Sequence, residues 1–154
     1  MRVLSVVGLG LVVVGLVSTT AVWGEEAQKK EATLKEELKR LEGTWRVIAV
    51  ELGGKEIDRN EISPNNLLIF SGTKCSTVTG KRTIEGTFTI DPSKSPKWID
   101  VTRTSDKVTW PGIYELKDDT IKVFLGTPGG QRPTEFKTRE GTQQVIHTHD
   151  RVKS

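Results

Sequence analysis

The sequence predicts an all-β domain, an eight-stranded antiparallel up-and-down barrel preceded by a short N-terminal helix. Three observations carry that expectation. From Gly43 onward apolar and polar residues alternate at period 2. Turn-forming residues recur every eight to twelve positions through that region. Only one stretch, Glu25 to Glu42, has the spacing of an amphipathic helix.

The 154-residue chain opens with Met1-Arg2, then Val3 to Val17 without a polar group larger than Ser5, then small residues up to the first acid at Glu25. That order predicts a secretory signal peptide over residues 1–24, with Val22 at −3 and Gly24 at −1 of the cleavage site. The alternative is an uncleaved anchor, since Val3 to Gly24 is 22 residues without charge and about 20 span a bilayer. Both place the remainder outside the cytoplasm, secreted or periplasmic. No Cys follows the apolar stretch, which excludes an N-terminal lipid-modified cysteine there.

Residues 25–42, "EEAQKKEATLKEELKRLE", form a charged helix or linker. Leu34, Leu38 and Leu41 stand at i, i+4 and i+7 and make a narrow apolar stripe, while Glu25 to Glu31 reads equally as a frayed lead-in. Residues 43–152 are the barrel. The expected strands are Thr44 to Leu52, Asn66 to Phe70, Lys74 to Thr79, Thr83 to Ile90, Trp98 to Thr102, Gly112 to Leu116, Ile121 to Leu125 and Gln144 to Arg151. They are separated by turn signals such as "GGKE", "SGT", "TGK", "DPSKSP" and "KDD". Ile84, Gly86, Phe88 and Ile90 share one face of their strand, and Ile121, Val123 and Leu125 one face of theirs. The first strand is apolar on both faces, which predicts an outer cover supplied by the leucine stripe of the helix.

Past residue 24 the chain holds 22 basic and 20 acidic residues. This mixed surface does not suit a nucleic-acid partner. Hydrophobic residues number 38 of the 130, a lean core. An eight-stranded barrel is just wide enough to be filled by side chains or to hold one small ligand, and the composition leaves both open. Cys75, the single cysteine, can form no intramolecular disulfide and reads as a small half-buried strand residue, the alternative being a disulfide-linked dimer.

The segments "LEGTWRVIAVELGGKEI", "IEGTFTIDPSKSPKWIDVT", "PGIYELKDDTIKVFL" and "QRPTEF", followed by a terminal strand ending in Arg151, resemble the planctomycete lipocalin-like domain of unknown function. The resemblance covers Leu41 to Arg151 and implies a secreted or periplasmic lipocalin-like barrel, without bringing an established activity. Gly43-Thr44-Trp45 resembles the Gly-x-Trp signature that opens the first lipocalin strand. The resemblance implies that Trp45 closes one end of the barrel and that Arg151 lies over its indole.

Candidate functional residues follow from these readings. Phe88, Trp98, Trp110, Tyr114 and Phe124 are the large groups available to line a cavity, and all but Trp98 are nominated for ligand contact, with Trp110 beside Pro111-Gly112 at the start of a strand. Arg132, in a segment similar to the family's "RP-x-x-F", either binds an anionic head group at the barrel mouth or ties a loop down through carbonyls. His147 and His149, at i and i+2, share a strand face and could share a metal ion given a third ligand, with Asp150 on the opposite face; a metal-free role is the expected one. No cofactor motif and no Ser-His-Asp order, G-x-S-x-G, H-E-x-x-H or phosphate loop is present. The expected function is non-catalytic binding of a small apolar or amphipathic ligand. The alternative is a cell-envelope interaction or structural module with a side-chain-filled barrel.

Overall fold

The computed structural model describes residues 19–153. The apolar leader stretch Val3 to Val17 lies outside these residues. No helix among the described residues is long and apolar enough to cross a membrane.

Helix α1, Thr19–Leu41, starts six residues before Glu25 and runs through Glu25 to Glu31 without a break, so this part is helix and not a frayed lead-in. Two residues past its end stands Gly43, whose φ of +118° is one that side-chain-bearing residues rarely adopt, and whose missing Cβ would lie 3.2 Å from Arg151 Nη1.

Nine strands follow: β1 Gly43–Leu52, β2 Lys55–Glu56, β3 Leu67–Ser71, β4 Lys74–Thr79, β5 Arg82–Asp91, β6 Lys97–Arg103, β7 Thr109–Lys117, β8 Thr120–Leu125 and β9 Val145–Arg151. Strands β1 and β3 to β9 pair antiparallel in chain order, and β1 pairs with β9, closing an eight-stranded barrel. The predicted architecture is therefore present. The two-residue β2 folds back on the far end of β1 and was not foreseen, because "GGKE" is too short to show alternation. A 3-10 turn, Arg59–Glu61, interrupts the long connection to β3, with the Asp58 carboxylate accepting from Asn60 N.

Two expectations are corrected. The leucine stripe of α1 does not cover the outside of β1. Leu41, fully buried, and Leu38 join Trp45, Phe70 and Tyr114 in the interior cluster, so the helix closes one end of the barrel. The two apolar faces of β1 have a different cause. The register with β9 slips between Val47 and Ala49, leaving Ile48 as a bulge. Trp45 and Val47 stand opposite Arg151 and His149, and after the bulge Val50 and Leu52 stand opposite His147 and Val145. Directly opposed residues share a face, so the extra residue switches the inward set from odd to even numbers.

Strand β7 begins three residues earlier than expected. Pro111, expected just ahead of the strand, pairs with Asp100 inside it, and its carbonyl accepts from Gly126 N at 2.7 Å. A proline that only accepts is tolerated where its missing N–H is not called on by a neighbour.

The connection between β8 and β9, residues 126–144, straps the outer face of the barrel. Ile113, Phe124 and Ile146 are aligned across β7, β8 and β9 and form a second buried cluster under Phe136. Further along, Thr138, 4% exposed, donates through N and Oγ1 to the Glu51 carboxylate, while Gly54 N donates to Thr138 Oγ1. These bonds hold the Glu51 carboxyl below its ordinary value, the hydroxyl contributing most and the Thr138 amide next.

Candidate functional site: the barrel interior

One end of the barrel is sealed. The Trp45 indole N–H donates to Leu41 O at 2.8 Å, and the Arg151 guanidinium stacks on the ring with its central carbon 4.1 Å from the centroid. Arg151 also donates to the carbonyls of Glu42 and Arg40 and pairs with Asp119. The last carbonyls of α1, which no helical N–H can reach, are thereby satisfied by barrel side chains. Beside them Glu37, 5% exposed, accepts from Tyr114 Oη at 3.1 Å and pairs with Lys97 and Arg40. Burial, followed by the Glu37 charge, pushes the Tyr114 phenol above its ordinary range. Glu37 was missed as a functional position. Its spacing from Leu34 and Leu41, on the apolar stripe, was the available signal.

Above this floor the interior holds a cavity of about 390 Å³. Its apolar wall includes Leu68, Ile99, Val101, Trp110, Val123 and Leu125, and its polar wall includes Asn66, Thr77, His147 and His149. Cys75 also lines it, 6% exposed, its thiol pushed by burial to about 11.

Strand β9 aims both imidazoles inward, since His149 stands opposite Val47 and Ile121, and His147 opposite Val50 and Val123. The ring centroids are 5.9 Å apart. His149 is 5% exposed, and burial, followed by the nearby His147, lowers its pKa to about 3. His147 is exposed, its ring open to the cavity it lines, while the protein around it lowers its pKa as well. Asp150 faces outward, where it accepts from Thr120 Oγ1. Among the described residues no group of three or more His, Cys, Asp or Glu is placed to hold a metal ion.

Of the five residues nominated from sequence, Trp110 lines the cavity, with Arg103 stacked 4.9 Å from its ring centroid. It is the second residue of β7, so it does stand at a strand start. Phe88 is in the core against Phe70, ring centroids 4.6 Å apart, toward the sealed end. Tyr114 belongs to the floor. Phe124 stands on the outer face under the strap, because β8 turns Ile121, Val123 and Leu125 inward. Arg132 is also outside. It donates to Ile99 O and Gly112 O, pairs with Asp100 at 2.7 Å and stacks on Trp98 at 4.4 Å. These contacts make it the residue that ties the strap to β6 and β7. The structure thus separates the five: one at the cavity, two toward the floor and two on the outer wall.

No protein-family model matches the chain, and neither a curated protein nor a solved structure matches it.

Proposed function

We propose that this chain is an extracytoplasmic, lipocalin-like binding domain that takes up a small apolar or amphipathic molecule in its barrel without catalysing a reaction. The observation that carries this reading is the interior cavity of about 390 Å³, apolar over most of its wall and sealed at one end by Trp45 and α1. That volume falls at the small end of ligand pockets, so the cargo is smaller than a drug-sized molecule. A filled barrel acting only through its surface calls for an interior without such space, and the cavity weighs against it. The extracytoplasmic setting rests on the charge, apolar core and small residues of positions 1–24.

The test is native mass spectrometry of the full chain, compared with its calculated mass, followed by thermal shift with a panel of single-ring aromatics and short isoprenoids. Binding is expected to raise the melting temperature and to be weakened by Trp110→Ala. A chain that is always of calculated mass and is shifted by no member of the panel would overturn the proposal.

A further inference from the structure

The lining of the cavity states what kind of head group it receives. Its nineteen lining residues include no Asp, Glu, Lys or Arg. An ionised carboxylate or ammonium placed there would lose its hydration without a counter-charge, which disfavours its binding. Arg103, which stacks on Trp110 beside the cavity, is already paired with Asp106. Burial keeps His149 neutral and the Cys75 thiol protonated at neutral pH, and the exposed His147 ring is shifted in the same direction as His149.

The interior is nonetheless not purely apolar. The His147 ring is open to the cavity, and two further polar atoms on the same side, Asn66 Oδ1 and His149 Nδ1, are buried without a hydrogen-bond partner. Their placement follows from the register. Val47 N donates to Asn66 O at 3.0 Å, and Val47 stands opposite His149. Asn66 and His149 are therefore the two cross-strand neighbours of Val47, one on β9 and one at the approach to β3, with His147 one inward position along from His149. An unpaired buried polar atom is destabilising, so this wall gains from a ligand that pairs with it. Asn66 Oδ1 can only accept, and a neutral imidazole offers one donor and one acceptor. The group that answers both is a hydroxyl.

We propose that the barrel selects a neutral amphiphile bearing a hydroxyl, an alcohol or a phenol, with its apolar body against Trp110, Val101 and Leu125 and its hydroxyl on the wall formed by Asn66, His147 and His149. The His147 ring makes the direct contact. Side-chain rotation brings Asn66 Oδ1 or His149 Nδ1 to the same hydroxyl. Carboxylates of the same shape are rejected for want of a cation, and hydrocarbons bind more weakly because they leave the polar wall unpaired. This inference rests on the proposed binding function and adds the chemical class of the ligand.

Two matched sets separate the possibilities: 4-methylphenol, 1,4-dimethylbenzene and 4-methylbenzoate, and a ten-carbon isoprenoid as alcohol, hydrocarbon and acid. Titration calorimetry at pH 7.5 with the full chain is expected to show the hydroxyl member of at least one set binding about tenfold or more tighter than its hydrocarbon, with the acid undetected. His147→Leu and Asn66→Val should each remove most of that preference while hydrocarbon binding persists, which also shows that the variants are folded. A hydrocarbon or acid binding as tightly as the hydroxyl member, or a preference left intact in both variants, overturns the selectivity while leaving the binding function standing. Failure of all six compounds with the wild-type chain overturns the binding function and the selectivity together.

Discussion

Arg151 and Trp45 close the barrel as a pair: the guanidinium lies 4.1 Å from the indole centroid while the indole N–H holds Leu41 O. The two residues stand directly opposite each other on β9 and β1, the first and last strands of the meander. One contact therefore joins the ends of the sheet, the floor of the cavity and the C-terminal turn of α1.

Trp45→Ala should cost about 3–5 kcal/mol, the cost of truncating a large, fully buried aromatic. Arg151→Lys retains the charge but not the planar stack or the fork to two carbonyls, and should cost about 1–2 kcal/mol. Urea unfolding followed by tryptophan fluorescence measures both. If Trp45→Ala left stability unchanged while abolishing ligand binding, Trp45 would belong to a binding surface and not to the floor.

The Glu37 carboxylate is the polar centre beneath the cavity. Glu37→Ala leaves Tyr114 Oη and Lys97 without their partner and should cost about 3 kcal/mol. Tyr114→Phe removes one hydrogen bond to a charged group and should cost about 1.5 kcal/mol. Glu31→Ala breaks an exposed pair with Lys35 on the same helix and should produce no measurable loss. Equal midpoints for Glu37→Ala and Glu31→Ala in thermal denaturation would contradict the assignment of Glu37 to the core.

Acid should destabilise the fold through its histidines. His149 has a folded pKa of about 3 against 6.5 for the free group, so between those values the unfolded chain binds a proton that the folded chain refuses. Stability is then full above pH 6.5 and falls as pH drops toward 3, by up to about 1.4 kcal/mol per unit. His147, lowered by burial as well, acts in the same direction. Unfolding free energies at pH 7.5 and 4.5 should differ less in His149→Phe than in the wild-type chain. Identical pH dependence in the two proteins would argue against a buried neutral His149.

The strap should be separable from the barrel. Phe136 is its apolar contact with Ile113, Phe124 and Ile146, and Phe136→Ala should lower stability by about 1 kcal/mol, as expected for a half-buried aromatic. Limited proteolysis is expected to cut within residues 126–144 faster in this variant, with the remaining strands staying paired. Unchanged cleavage would show that Arg132 and Thr138 hold the strap by themselves.

Much of this was legible along the chain. Alternation in Ile84 to Ile90 and Ile121 to Leu125 identified two strands and their faces, because the period of a strand is set locally by its pleat. Gly43-Thr44-Trp45 marked the start of β1, since a glycine is needed where φ turns positive and a tryptophan is costly to leave exposed. Elsewhere local signals misled. The strand expected from Gly112 already starts at Thr109, and the two apolar faces of β1 looked like double burial when a single extra residue at Ile48 accounts for them. A bulge depends on which partner the strand meets, and β9 lies about a hundred residues away in sequence.

The sequence by itself determined the eight barrel strands with their order and local pleat, the helix that precedes them and the charge pattern of the leader. Period, turn chemistry and composition are properties of neighbours in the chain. Only the tertiary structure decided that α1 closes the barrel end through Leu38, Leu41 and Glu37, that residues 126–144 cover the outer wall through Phe136, and that a cavity remains with His147, His149 and Asn66 on one side. Those outcomes depend on barrel closure and on which volumes the inward side chains leave unfilled, and such sums over distant residues are written in no local pattern.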